Sequence, residues 1–274
     1  RLTDPASSAE LKFSLLQVVG EIGGESSIPP VIKVIRLSSD TPGLIKAGFQ
    51  ALALMPPSGE ARELVDDLLG GDNSTIARQQ ALVYLAAIRD PTAGPIALSY
   101  SAPDVDPGLR IVGLLLAARL GDDSVLPAIL ELLESTEDRS YREVILRALG
   151  ELSDPESYAT YSTEHPDILG AESMREIGNL VAFRHTTGEA RTELAKQLIQ
   201  SGHPWDRREA VAFLVEENHS EVLAEYLQLS PIYGLPLLAT VAHSPTAVPI
   251  LAQIRRMGYR IEETPTGFEL VPDG

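Results

Sequence analysis

The side chains best suited to acid–base or metal chemistry are few in this sequence and lie far apart. There is no cysteine, which excludes disulfides, thiol nucleophiles and Cys-ligated zinc. No two histidines share a helical face at the spacing that metal ligands need. All but the first fall where a helix is expected to end, and a protonated imidazole interacts favourably with a helix C-terminus. The histidines are His165, His185, His203, His219 and His243. We therefore predict no catalytic residue, no metal and no cofactor, and these observations favour a protein that is not an enzyme.

Acidic side chains and tyrosines are the better candidates for a binding surface. On Glu60–Leu69 the apolar periodicity directs Glu63 and its acidic neighbours outward. Ser124–Glu134 has the same pattern, and Glu156–Glu164 has two tyrosines and no Leu, Ile or Val. A local break in consistency of this kind can mark a functional site, or only a divergent repeat. The predicted partner-binding residues are Glu63, Asp66, Asp67, Tyr100, Glu131, Glu134, Tyr158, Tyr161 and Tyr226.

The net charge restricts the kind of partner. At pH 7 the formal charge is −17, and such a surface repels phosphate backbones and anionic lipids. No apolar run approaches the roughly 20 residues that span a bilayer. We expect a protein or peptide partner with a basic surface, no nucleic acid and no membrane insertion. The alternative is that the acids only solvate the chain and the tyrosines pack between helices.

Five helical patterns end in similar turn signals and define an internal repeat. Their last apolar anchors are separated by 32, 34, 32 and 32 residues, a period typical of stacked helix pairs; the anchors are Ile22, Leu54, Ile88, Leu120 and Leu152. Asp90-Pro91 and Asp154-Pro155 lie between helices, where Asp caps a helix and Pro starts one. The predicted second helices are Ile28–Leu37, Glu60–Leu69, Ala93–Ser101, Ser124–Glu134, Glu156–Glu164, Glu189–Gln200, Ser220–Leu229 and Thr246–Met257.

Apolar stripes place the core-facing side of the first helices. One stripe consists of Leu11, Leu15, Val18, Val19 and Ile22. Two others are Leu109, Val112, Leu116 and Leu120, and Tyr141, Ile145, Leu149 and Leu152. Arg184 and Glu217 stand where earlier repeats have an apolar anchor. A single helix pair cannot bury such a stripe, so neighbouring pairs must stack.

The repeats resemble HEAT repeats, most closely the bacterial HEAT-like class of the bilin lyases. The similarity rests on Leu-Gly-Glu-Leu-Ser-Asp-Pro-Glu at 149–156 and Gly-Glu-Ile-Gly-Gly-Glu-Ser-Ser-Ile-Pro-Pro at 20–30, and it covers about residues 10–257. It implies an all-α fold, a right-handed α-solenoid of about eight HEAT-like helix pairs over residues 1–258. Apolar–polar alternation on both sides of Thr264-Pro265-Thr266-Gly267 predicts a β-hairpin cap at 259–274.

This architecture leads us to expect a non-catalytic scaffold that binds a partner protein or peptide along an acidic concave face. Two alternatives stay open: a lyase-like or chaperone-like protein that handles a tetrapyrrole or another bulky ligand, and a structural segment of a longer rod. The absence of any His-Glu dipeptide argues against the iron chemistry of HEAT-like deoxyhypusine hydroxylases. A cytoplasmic location is expected, and export stays open because the chain starts at Arg1 and not at Met.

Overall fold

A computed structural model describes residues 2–4, 6–22, 25–38, 40–165, 171–200, 203–217, 219, 222, 259–264 and 267–272. Within these residues the fold consists of helices and one pair of strands. The α-helices are α1 Ala9–Ile22, α2 Ile28–Leu37, α3 Pro42–Leu54, α4 Gly59–Gly70, α5 Thr75–Ile88, α6 Gly94–Ser101, α7 Pro107–Arg119, α8 Leu126–Ser135, α9 Arg139–Leu152, α10 Pro155–Glu164, α11 Ala171–His185, α12 Gly188–Ile199 and α13 Pro204–Glu216. In this part of the chain no helix combines the length and apolarity needed to cross a membrane.

The helix boundaries confirm the predicted pairs as far as residue 200. Each of the first six predicted second helices corresponds to one of α2, α4, α6, α8, α10 and α12, within about two residues at either end. The predicted caps are also present. Asp90 accepts from the Thr92 backbone N–H at 2.8 Å, and Asp154 accepts from Glu156 and Ser157 at 2.9 Å each. The predicted helices 220–229 and 246–257 fall outside the described residues apart from residue 222.

The chain forms two compact units. Unit 1 comprises Arg1–Tyr84 with Gly202–Gly274, and unit 2 comprises Leu85–Ser201. In unit 1, α1 packs on α3, and α2 packs on both α3 and α4. The packing of α1 corrects the expected stripe. Leu16 is completely buried, whereas Leu11 and Val18 are 41% and 51% exposed. The reason is a close approach of the two backbones, since a Cβ on Gly20 would lie 2.9 Å from the Ala51 Cα.

Unit 2 is built around α7, which contacts α6, α8 and α9. Helix α7 is buried on almost every side, from Gly108 to Arg119. The stripes predicted for α7 and α9 face the core in part. Their buried members are Leu109, Val112, Leu116, Ile145 and Leu149, and their half-buried members are Leu120, Tyr141 and Leu152. The contact between α6 and α7 is tight because Gly113 has no side chain. A Cβ there would lie 2.6 Å from the Tyr100 carbonyl carbon.

Two strands, β1 Tyr259–Thr264 and β2 Gly267–Pro272, form an antiparallel ribbon near the C-terminal end. Their register pairs Tyr259 with Pro272 and Thr264 with Gly267. The all-helical character of the rest of the described chain agrees with the predicted all-α class. The winding of the helix pairs, their number of about eight and the boundary between 258 and 259 stay predictions.

Candidate functional site

A groove between α2 and α4 is the candidate binding site in unit 1. It has about 740 Å³ of empty volume, including the space open to solvent, and its exposed lining is mainly apolar. Ile32 is 9% exposed and Leu37 is 72% exposed. Leu37 is the most exposed large apolar side chain in the described part of the chain, and in the groove it lies beside other apolar lining residues. The lining residues are Pro29, Ile32, Lys33, Arg36, Leu37, Glu60 and Glu63.

The two walls of this groove differ in charge. Lys33 and Arg36 come from α2, and Glu60 and Glu63 come from α4. Arg36 donates to Asp67 of α4 at 2.7 Å, which ties the two helices together. Lys33, Glu60 and Glu63 are exposed and make no hydrogen bond or ion pair within the described part of the chain. The groove therefore offers an apolar surface between an acidic wall and a basic wall.

Three of the predicted acidic contact residues are already engaged by arginines. Asp66 pairs with Arg62 one turn earlier on α4 at 3.1 Å, and Asp67 pairs with Arg36. In unit 2, Glu131 lies 3.9 Å from Arg110. These carboxylates are 55–73% exposed, so each pair contributes at most about 1 kcal/mol. The surface predicted to be uniformly acidic is thus mixed in charge, and Glu63 is the predicted residue that lines the groove.

The predicted tyrosines do not form one surface. Tyr158 is 3% exposed, and its hydroxyl donates to the Met174 carbonyl at 3.3 Å. This burial removes Tyr158 from the expected contact surface, because its ring fills the space between α10 and α11. Tyr100 is half-buried at the end of α6, with its backbone against Gly113. Tyr226 lies outside the described residues.

Tyr161 and Glu134 are the predicted residues that the structure brings near each other. The Tyr161 ring stacks on His165, with centroids 4.5 Å apart and an interplanar angle of 28°. Its hydroxyl is buried and makes no hydrogen bond within the described chain. Burial, and then the Glu134 carboxylate, raise the pKa of Tyr161 to about 12, while Arg142 opposes them. Tyr161 therefore stays a neutral phenol throughout the physiological range.

A buried ionic cluster in unit 2 was not anticipated from the sequence. Glu151 near the end of α9 has a side chain only 5% exposed, and three arginines converge on it. Arg119 approaches at 2.8 Å, Arg184 at 2.8 Å and Arg89 at 3.1 Å. The arginines come from α7, α11 and the turn after α5. We name Glu151 with these three arginines the Glu151 cluster.

The signal for this cluster was present in the sequence. Arg119 and Arg184 lie 32 and 33 residues from Glu151, one repeat away on either side. Residues separated by one repeat occupy equivalent positions on stacked helices, so opposite charges at that separation can pair. Arg184 was noted as an irregular anchor, and its pairing with Glu151 explains why a charged residue fits there. The three arginines lie at or near helix C-termini, where the helix dipole stabilises cations. Because Arg119 and Arg184 come from the repeats before and after Glu151, we assign the cluster to repeat stacking.

The histidines differ in part from the expectation. His185 is the last residue of α11, as predicted. His203 instead precedes Pro204 at the start of α13, with Nδ1 3.4 Å from a carboxylate oxygen of Asp206. Asp206 is 1% exposed, so this contact holds the His203 ring against the first turn of α13. Among the described residues, no three His, Asp or Glu side chains lie close enough together to hold a metal ion.

Comparison with known proteins gives one similar solved structure to report. No family model matches the chain, and no curated protein matches it. The structure of human deoxyhypusine hydroxylase in complex with glycerol aligns over 93% of both chains, with 18% identity and a TM-score of 0.40. At this level the alignment carries no argument about the reaction or the ligands of this chain.

The match does correct one inference. We expected a non-catalytic scaffold because the chain is a helical repeat. The aligned structure, however, is named for an enzyme, and a helical-repeat fold by itself does not specify function. The prediction that this chain is a non-catalytic scaffold, which we drew from its fold, is therefore wrong. This match does not test the two alternatives, a lyase-like or chaperone-like protein and a segment of a longer rod.

Proposed function

We propose that unit 1 binds a segment of another protein in the groove between α2 and α4. The observation that carries the proposal is the apolar strip formed by Pro29, Ile32 and Leu37 between charged walls. An apolar side chain of the partner would rest on Ile32 and cover Leu37. Partly buried apolar anchors surrounded by polar side chains are the usual energetic centre of a protein interface. The proposal concerns binding and does not depend on whether the chain also catalyses a reaction.

The openness of the groove supports a short segment as its occupant. The groove is open to solvent along the two helices, so a segment can lie along it. Burying the exposed part of Leu37 and part of Ile32 supplies hydrophobic free energy of about 25 cal/mol per Å². Such a contact is small, so the charged walls must contribute to affinity and specificity.

A selection experiment with a matched control tests this proposal. A library of random peptides displayed on phage is selected on the wild-type protein, and each binder is then measured on Leu37→Glu and Leu98→Glu. Leu98 on α6 is a similarly exposed leucine, at 59%, in unit 2. Binders should lose about tenfold or more in affinity on Leu37→Glu and keep it on Leu98→Glu. If no binder distinguishes the two variants, the groove is not a binding site.

We also infer that the helix pairs belong to the HEAT-like class and continue as a right-handed solenoid of about eight pairs over residues 1–258. The inference is supported by the spacing of 32–34 residues between anchors and by six consecutive second helices close to their predicted bounds. The hairpin at 259–274 would be its cap. A cytoplasmic location and a partner with a basic surface are parts of the same proposal, and a crystal structure together with localisation of the tagged protein would test them.

A further inference from the structure

We infer that the segment bound between α2 and α4 is an amphipathic helix whose edge toward α4 carries basic side chains. This inference rests on the proposed function, and it adds the conformation and the charge pattern of the occupant. It follows from the spacing of the charged groups on the two walls and from the apolar surface between them.

The spacing of the acids on α4 favours a helical occupant. Glu60, Glu63 and Asp67 lie at i, i+3 and i+7 on one face of α4, and all three are exposed. With a rise of about 1.5 Å per residue, their positions along the axis are about 0, 4.5 and 10.5 Å. Side chains on one face of a partner helix repeat at the same intervals. Those on one side of an extended strand repeat about every 6.8 Å and lose the match within two contacts.

The apolar strip and the acids together define the pattern of that helix. Pro29, Ile32 and Leu37 lie at i, i+3 and i+8 on α2, so the strip runs along the helix axis. A partner helix laid along it would direct an apolar stripe at Ile32 and Leu37. Its side chains next to the stripe would then reach Glu60 and Glu63 on one edge and Lys33 on the other. This is the helix-in-groove mode of peptide recognition.

Charge decides which helices fit. Glu60 and Glu63 have no cationic partner among the described residues, so an approaching lysine or arginine replaces none of the existing contacts. An acidic edge at the same place would bring like charges together, which costs affinity and rejects wrong partners. The overall charge of −17 adds a long-range attraction for basic segments. Asp67 is already held by Arg36 at 2.7 Å, so Glu60 and Glu63 are the residues that select the basic edge.

Three designed peptides of 18 residues test the inference by fluorescence anisotropy. All carry the same leucine stripe. The first has lysines along one edge, the second has glutamates at the same positions, and the third is the lysine peptide with a central proline that breaks the helix. We expect the first to bind, and the second and third to bind at least about tenfold more weakly. Double substitution Glu60→Lys with Glu63→Lys should reverse the preference between lysine and glutamate peptides.

A matched control separates the groove from general electrostatics. Glu137 and Glu189 are exposed acids that, like Glu60 and Glu63, make no ion pair within the described residues, and their double change to Lys alters the net charge by the same amount. That control should keep the preference for the lysine peptide. Equal loss in both double variants, or equal binding of the proline peptide, would overturn the inference. Absence of binding by the lysine peptide would overturn the inference as well. The proposed function is tested separately, by the affinity of the phage-selected binders for Leu37→Glu and Leu98→Glu.

Discussion

Glu151 and Arg184 are 33 residues apart in the sequence, yet a guanidinium nitrogen of Arg184 lies 2.8 Å from the Glu151 carboxylate. Each residue is the last but one of its helix, α9 or α11. The ion pair therefore joins equivalent positions of two successive repeats. Arg119 makes the same connection from α7 at 2.8 Å, so a single carboxylate links three first helices in unit 2.

Removing the carboxylate should destabilise unit 2. In Glu151→Gln the guanidinium groups of Arg119 and Arg184, 6% and 15% exposed, lose their common counter-charge. Loss of one partner in a buried ion pair costs about 3–5 kcal/mol. We expect the free energy of unfolding, measured by urea titration and circular dichroism, to fall by that amount. Glu193→Gln on α12 is the control, because Glu193 and its partner Lys196 are both exposed, at 58% and 41%; a change above about 1 kcal/mol there would contradict the argument from burial.

Arg89 should tolerate glycine better than alanine. Its backbone has φ +49°, a left-handed conformation that costs a side-chain-bearing residue about 1–2 kcal/mol. Gly121, one repeat later, takes the equivalent turn with φ +82°. Arg89 is 43% exposed and contributes a pair to Glu151 at 3.1 Å. Arg89→Gly relieves the strain while losing a pair whose guanidinium is 43% exposed, so the two effects oppose each other and the unfolding free energy should change by less than about 1 kcal/mol. Arg89→Ala loses the pair and keeps the strain, and stability no lower than that of Arg89→Gly would refute the explanation.

Gly113→Ala should disrupt the packing of α6 on α7. The added Cβ would lie 2.6 Å from the carbonyl carbon and 2.7 Å from the carbonyl oxygen of Tyr100, so a helix backbone must move. Overpacking of this kind costs about 1–3 kcal/mol. Gly94→Ala in α6 is the matched control, because no atom lies within 4 Å of its added Cβ. Thermal unfolding should show a lowered Tm for the first variant only, and an unchanged Tm for Gly113→Ala would show that the two helices can separate without cost.

Tyr161 should make stability depend on pH in the alkaline range. Burial raises its pKa from the ordinary value of 10.0 to about 12. Between these values the unfolded chain has released the phenol proton while the folded chain retains it, so the folded state binds more protons and stability falls as pH rises. The stabilisation linked to the raised pKa of Tyr161 is fully present below pH 10 and is lost as the pH rises toward 12. Urea unfolding at pH 8, 10 and 11.5 should show a shallower decline for Tyr161→Phe than for the wild type, and identical slopes would place the phenol in water.

The elements of this fold were predictable because their signals are local. Asp90 and Asp154 precede prolines at helix starts, and their carboxylates accept backbone N–H groups within three residues. Apolar residues at helical spacing placed Ile145 and Leu149 in the core, where they are 2% and 4% exposed. The nearly constant spacing of 32–34 residues predicted stacked pairs because equivalent helices must present equivalent faces. These properties depend only on near neighbours along the chain.

The partner of each side chain was decided by tertiary packing. Leu16, and not Leu11 or Val18, faces the core because the absence of a side chain at Gly20 lets α1 approach Ala51. Tyr158 is buried because α11 covers it, so residue type alone misplaced it on a binding surface. Arg36 and Arg110 neutralise acids on other helices that the sequence had left unpaired. The sequence by itself determined the helices and their order. The charge of each surface and the α2–α4 groove were decided only by the packing of helices that are distant in sequence, because ion pairs and cavities depend on distances in space.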